Sequence, residues 1–135
     1  MPTTREQLAA YRASEYVVFA KPELVLRIGE PSAALDRLLE AAGARSAAFL
    51  TAANPHSQPR SAAENLATLE RLERDASAWP VHRGEGRSPD RTWREPSLLV
   101  AGIAREAART LGRRYGQNAI VFIDKGAAPE LVLLE

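Results

Sequence analysis

The polar residues of this chain that could do chemistry stand at the ends of its apolar runs. Thr51-Ala52-Ala53-Asn54-Pro55-His56-Ser57-Gln58-Pro59-Arg60-Ser61 leaves one such run, and Glu64 and Asn65 follow it. Glu95 and Ser97 stand just before Leu98–Ala101, and Gln117 and Asn118 stand just before Ala119–Ile123. Amides and hydroxyls orient a ligand through hydrogen bonds, and one carboxyl adds a charge. Asn54, Ser57, Asn65, Glu95, Ser97, Gln117 and Asn118 are therefore the candidate ligand-binding set. For acid–base chemistry the candidates are Glu95, if its surroundings are dry, and His56, with its near-neutral reference pKa. Nothing specifies a nucleophile, so no catalytic residue is assigned.

Each of these residues also has a scaffolding explanation. Asn54-Pro55 suits an Asx-type turn, and Ser61 with Glu64 is a capping box. Asn118, after Gly116, suits a helix exit. Glu95 could cap a turn or pair with an arginine, and His56 could be an exposed loop residue. Asn65 is no cap. Projected at about 100° per residue it lies about 40° from Leu69 and about 20° from Leu72, beside the apolar face. There it must find partners or destabilise the fold, and a tie to the Asn54 turn would supply them. Trp79 and Trp93 flank an arginine-bearing segment and could stack on bases, but core or loop anchoring explains them as well.

These positions need a scaffold. Thr3 and Thr4, with Glu6 and Gln7, give overlapping capping boxes for a helix to about Arg12, with Leu8 and Tyr11 inward. Tyr16–Phe19 and Leu24–Ile28 read as a hairpin around Lys21-Pro22. Ser32 caps a helix carrying Leu35, Leu38, Leu39 and Ala42 and stopped by Gly43. Ala47–Ala52 is apolar on both faces, as a covered central strand would be. A helix from Ser61 to about Asp75 buries Leu66, Leu69 and Leu72. Residues 77–96 are punctuated by glycine and proline and read as a long loop, with Trp79–His82 a short edge strand. Leu98–Ala101, a helix over Ile103–Tyr115 and Ala119–Ile123 make a β-α-β unit, and Leu131–Leu134 closes the chain.

The expected architecture is α+β: one domain over residues 1–135, a mixed but mostly antiparallel sheet, about four helices and one β-α-β unit. In such a unit the residues before both parallel strands share one sheet edge. If Ala47–Ala52 runs antiparallel to that pair, its end brings Thr51, Asn54 and Ser57 to the same edge. A parallel Ala47–Ala52 would place them at the opposite edge.

Bulk composition narrows the classes. The 135 residues suit one domain burying about two thirds of its unfolded surface. With 45% apolar and 26% charged residues the chain is an ordinary globular sequence. A net charge of +1 offers no global field for nucleic acid. There is no cysteine and there are two histidines, which excludes disulfides, thiolate chemistry and Cys- or His-rich metal centres. Neither a signal-peptide pattern nor an apolar run near the roughly 20 residues of a membrane span is present, so a soluble, cytoplasmic protein is expected. Phosphate-loop, dinucleotide, nucleophile-elbow and zincin motifs are missing, and no cofactor is expected.

Four motifs in order carry a resemblance: Thr51-Ala52-x-Asn54-Pro55-x-Ser57, Glu64-Asn65, Trp93-x-Glu95-x-Ser97 and Gly116-Gln117-Asn118-Ala119. Together they resemble the uncharacterised bacterial family filed as domain of unknown function 3293, over most of the chain. The resemblance implies no activity, cofactor or catalytic residue. Ala53 departs from the bulky aromatic that many members carry there, so no stacking role is implied for it. The expectation is a binding module for a small polar ligand. The alternatives are a protein-interaction or regulatory domain using residues 77–94, and an enzyme with Glu95 or His56 as its acid–base group.

Overall fold

The computed structural model describes residues 3–134; Met1 and Pro2 of the leading segment, and Glu135, lie outside the described residues. Helix α1 (Arg5–Ala13) begins at a reciprocal cap. The Thr4 hydroxyl accepts from the Gln7 amide at 3.1 Å, and the Gln7 side chain accepts from the Thr4 amide at 2.9 Å. No residue of α1 is buried. Helix α2 (Ala33–Ala41) is capped by Ser32 and buries Leu35 and Leu39.

Helix α3 (Ala62–Asp75) has the Ser61–Glu64 capping box and buries Asn65, Leu69 and Leu72. Leu66, expected inside, is 46% exposed. Asn65 takes the inward position of that first turn, which rotates Leu66 to solvent. Helix α4 (Arg105–Arg114) packs Ala108 and Leu111 inward.

Seven strands form one sheet: β1 (Glu15–Val18), β2 (Leu24–Leu26), β3 (Ser46–Thr51), β4 (Val81–Arg87), β5 (Arg94–Ala101), β6 (Ala119–Asp124) and β7 (Glu130–Leu133). Their order is β2-β1-β4-β5-β3-β6-β7. β3 is antiparallel to both β5 and β6, so those two run the same way with β3 between them. The β-α-β unit is present, yet every ladder is antiparallel. The fold is α+β, a single domain with four α-helices among the described residues.

Residues 77–96 are not a long loop. β4 is a central strand pairing with β1 on one side and β5 on the other, and the turns are confined to the exit of α3 at 76–80 and to residues 88–93. Glycine misled the reading because here it serves close approach rather than chain reversal. A Cβ on Gly84 would lie 2.0 Å from the Val17 carbonyl oxygen, so the backbone of β1 leaves no room for a side chain.

The two sheet faces are covered unequally. Ala48, Leu50, Leu98, Val100, Ile120 and Phe122 meet α3 and α4. On the other face, Val18, Ala47, Phe49, Leu99, Val121 and Ile123 meet Leu35 and Leu39 of α2. Beyond α2, the end of that second face lies under α1, with space between. Among the described residues no helix is long and apolar enough to cross a membrane.

Candidate functional site

β3 ends at Thr51, where the chain enters a turn of unusual backbone. Asn54, His56 and Ser57 have φ of 47°, 56° and 60°. Left-handed geometry costs a non-glycine residue roughly 1–2 kcal/mol, so the surroundings must enforce it. Asn65 does much of this. Its Oδ1 accepts from the Asn54 amide at 3.0 Å, and its Nδ2 donates to Asn54 Oδ1 at 3.0 Å. The Arg60 amide donates to the same Oδ1 at 2.9 Å, and the His56 amide donates to the Gly116 carbonyl at 2.8 Å. The expected Asx bond of Asn54 to its adjoining backbone is replaced by this longer clasp.

With Oδ1 accepting two donors, the orientation of the Asn54 amide is fixed and its Nδ2 faces Glu95. That nitrogen donates to Glu95 Oε2 at 2.9 Å. No described residue donates to Glu95 Oε1 in the hydrogen-bond network. The nearby arginines go elsewhere: Arg83 to Glu73, Arg87 and Arg91 to Glu15, and Arg94 to Glu85. Burial without a cationic partner pushes the Glu95 carboxyl up to about 7, against the smaller opposing effect of the Asn54 hydrogen bond.

Strand register places the other groups. Gly86 of β4 pairs with both Tyr16 and Glu95, while Ser97 pairs with both Gly84 and Thr51. Ser97 is 2% exposed and its Oγ donates to the Glu95 carbonyl at 3.0 Å. Thr51 Oγ1 donates to the Pro96 carbonyl at 2.7 Å and accepts from the Ala53 amide at 2.9 Å. After α4, Gly116 at φ 66° turns the chain so that Gln117 and Asn118 reach this edge. Gln117 Nε2 donates to the carbonyls of Ala53 at 2.9 Å and Tyr115 at 3.1 Å. Asn118 Nδ2 donates to Ser57 Oγ at 2.9 Å and to the Tyr11 hydroxyl at 3.1 Å. The Gln7 amide also reaches Ser57 Oγ, at 3.3 Å, so α1 is tied to the site rim.

These groups line a cavity of about 520 Å³ between α1 and the sheet. Tyr16, Phe49, Val121 and Leu131 give it apolar walls, and Gln7, Ala10, Tyr11 and Ser14 bring α1 over it. Tyr16 and Phe49 meet edge to face at 5.4 Å, and the Tyr16 hydroxyl donates to the Tyr11 carbonyl. Trp93, 38% exposed, stands at the margin over Gly86, where a Cβ would be 3.8 Å from its ring. Among the described residues lining the cavity, Glu95 is the only Asp, Glu, Lys, Arg or His.

Six of the seven residues chosen from the sequence, Asn54, Ser57, Glu95, Ser97, Gln117 and Asn118, line this cavity. Asn65 stands behind the Asn54 turn and acts on the cavity through it. His56 is exposed and outside the lining. Sequence reasoning missed Gln7, Tyr11, Tyr16 and Gly86. The thin apolar face of the first helix was the available signal, since a helix with so little to bury must be held by polar contacts.

The family described as "Protein of unknown function (DUF3293)" matches residues 50–120, more than half of the chain. The chain belongs to this family. The DUF3293 match contains the Asn54 turn, Asn65, Glu95, Ser97, Gln117 and Asn118, whereas Gln7, Tyr11 and Tyr16 fall outside the matched residues. No curated protein and no solved structure matches the chain.

Proposed function

We propose that this DUF3293 protein is a binding module for a small ligand held between α1 and the sheet, with its polar end at Asn54, Glu95, Gln117 and Asn118. The observation carrying this reading is a cavity of about 520 Å³ in whose lining Asn54, Ser57, Glu95, Ser97, Gln117 and Asn118 meet from three distant chain segments. Ligand sites are concave and mostly apolar, with a few convergent polar groups, and occupy about 300–1,000 Å³. The cavity has that size and that mixture.

Binding is favoured over acid–base catalysis because the buried hydroxyls are engaged with backbone. Ser97 donates to the Glu95 carbonyl and Thr51 to the Pro96 carbonyl, so neither is paired with a base. The test is a fragment titration followed by amide and indole resonances of the labelled protein. Shifts should concentrate at Trp93, Gly86, Glu95 and Asn118 and vanish in Gly86→Val, whose side chain would fill space under Trp93. Shifts scattered over the surface, or unchanged in a folded Gly86→Val, would defeat the reading.

A further inference from the structure

We propose that the ligand of this cavity carries an organic ammonium group, bound at Glu95 and flanked by the aromatic side chains of Trp93, Tyr16 and Tyr11. The inference rests on the cavity being a ligand site and adds the chemical class of what it takes.

Three observations converge on a cation. The first is charge: among the described residues a single carboxylate faces the cavity, with no lysine, arginine or histidine in the lining. An anion entering would meet a like charge with nothing to offset it. A cation would supply the opposite charge that Glu95 lacks among its neighbours.

The second is hydrogen-bond polarity. The lining donors are largely engaged within the protein: Asn54 Nδ2 on Glu95, both hydrogens of Gln117 Nε2 on backbone carbonyls, and Ser97 Oγ on a carbonyl. Ser14 Oγ donates to the Ala10 carbonyl at 2.6 Å, and Thr51 Oγ1 donates likewise to Pro96. Acceptor capacity stays at Glu95 Oε1 and Gln117 Oε1. An ammonium offers donors and no acceptor, which is the complement of such a lining.

The third is the aromatic content. Tyr11, Tyr16 and Trp93 line the cavity. The faces of such rings attract cations, an effect that strengthens when the cation is desolvated. Tyr16 lies near enough to Glu95 for the carboxylate to add to the rise in its own hydroxyl pKa, the largest cause of which is burial.

The proposal predicts coupling to protons. Besides Glu95, the titratable groups among the described lining residues are Tyr16 on β1, which interacts with Glu95, and Tyr11 on α1; neither supplies a positive charge. Glu95 in the empty cavity is partly protonated near neutral pH. A cation stabilises the carboxylate, so binding expels a proton and affinity falls as pH drops below about 7.

Benzylamine, benzyl alcohol and benzoate share a ring and differ in head-group charge, which makes them suitable probes. Titrated at about pH 7.5 and followed at the Trp93 indole, benzylamine should bind roughly tenfold more tightly than benzyl alcohol, with benzoate weakest. Glu95→Gln should remove the preference for the amine, its affinity falling to that of benzyl alcohol for the same variant. Equal or better binding of benzyl alcohol or benzoate would overturn the ammonium assignment and leave the cavity as a site for another class. If no probe moves cavity resonances, and no fragment of any charge does, both the assignment and the binding reading fall.

Discussion

Asn65 and Asn54 bond to each other twice, side-chain oxygen to backbone amide and side-chain amide to side-chain oxygen, both at 3.0 Å. The pair converts a strained turn into a fixed one, and it directs the remaining Asn54 nitrogen at Glu95.

Replacing Asn65 by Ala should therefore act on stability first. It leaves the Asn54 amide without its acceptor and takes one of the donors from Asn54 Oδ1. Unsatisfied buried groups cost about 1–3 kcal/mol each, so a loss of about 2–3 kcal/mol is expected in urea denaturation. A loss below about 0.5 kcal/mol would mean the turn holds itself.

Glu95 should make the protein less stable as pH rises. Its folded pKa is raised from 4.5 to about 7, so between those values the unfolded chain releases the proton while the folded chain retains it. The stability cost begins near the lower value and is complete above the upper one. It amounts to at most about 3 kcal/mol. Glu95→Gln, which does not titrate, should gain stability relative to the parent between about pH 5 and about pH 8. A gap independent of pH in denaturation curves would show that the carboxyl is ordinary.

Gly84 and Gly86 should respond oppositely to alanine. At Gly84 the added carbon meets the Val17 carbonyl oxygen at 2.0 Å, so β1 must move; a loss above about 3 kcal/mol is expected. At Gly86 the nearest atoms are 3.8 Å away, an ordinary contact, and the change should stay within about 1 kcal/mol. Melting temperatures of the two variants decide it. Similar losses at both positions would contradict the packing described.

Helix α1 should open more readily than the sheet beneath it. It buries no residue, and polar contacts such as Tyr11 with Asn118 tie it to the rim. Amide exchange in α1 should exceed that in β3. Tyr11→Phe, losing one hydrogen bond worth about 1 kcal/mol, should speed α1 exchange about fivefold and leave β3 unchanged. Exchange of α1 at the same rate as β3 would show that the helix is part of the cooperative core.

Much of this was legible in the chain. Capping boxes marked α1 and α3, and the apolar Ala47–Ala52 run announced the central strand between two others. The site became readable once β3 was taken as antiparallel, because that direction carries Asn54 to the edge where Glu95 and Asn118 begin. What escaped notice was β4. Its glycines resemble turn residues locally, and the reason for Gly84 lies in the carbonyl of Val17, some seventy positions earlier. Leu66 was misplaced for a related cause: helical spacing gives a face but does not say that an amide will occupy its first turn. Asn65 lies beside that face and, buried, displaces the leucine to solvent.

The insertion of β3 between β5 and β6 bears on how the cavity comes into being. Its polar groups belong to segments near positions 54, 95 and 118; the β3–β5 ladder brings the first two together, and the third joins them when β6 pairs with β3. A chain lacking either ladder thus has no complete site to offer. Occupancy is available only to the completed sheet, so any ligand draws its affinity from the whole folding equilibrium and raises the midpoint of global unfolding, while the local opening of α1 leaves the ladder intact.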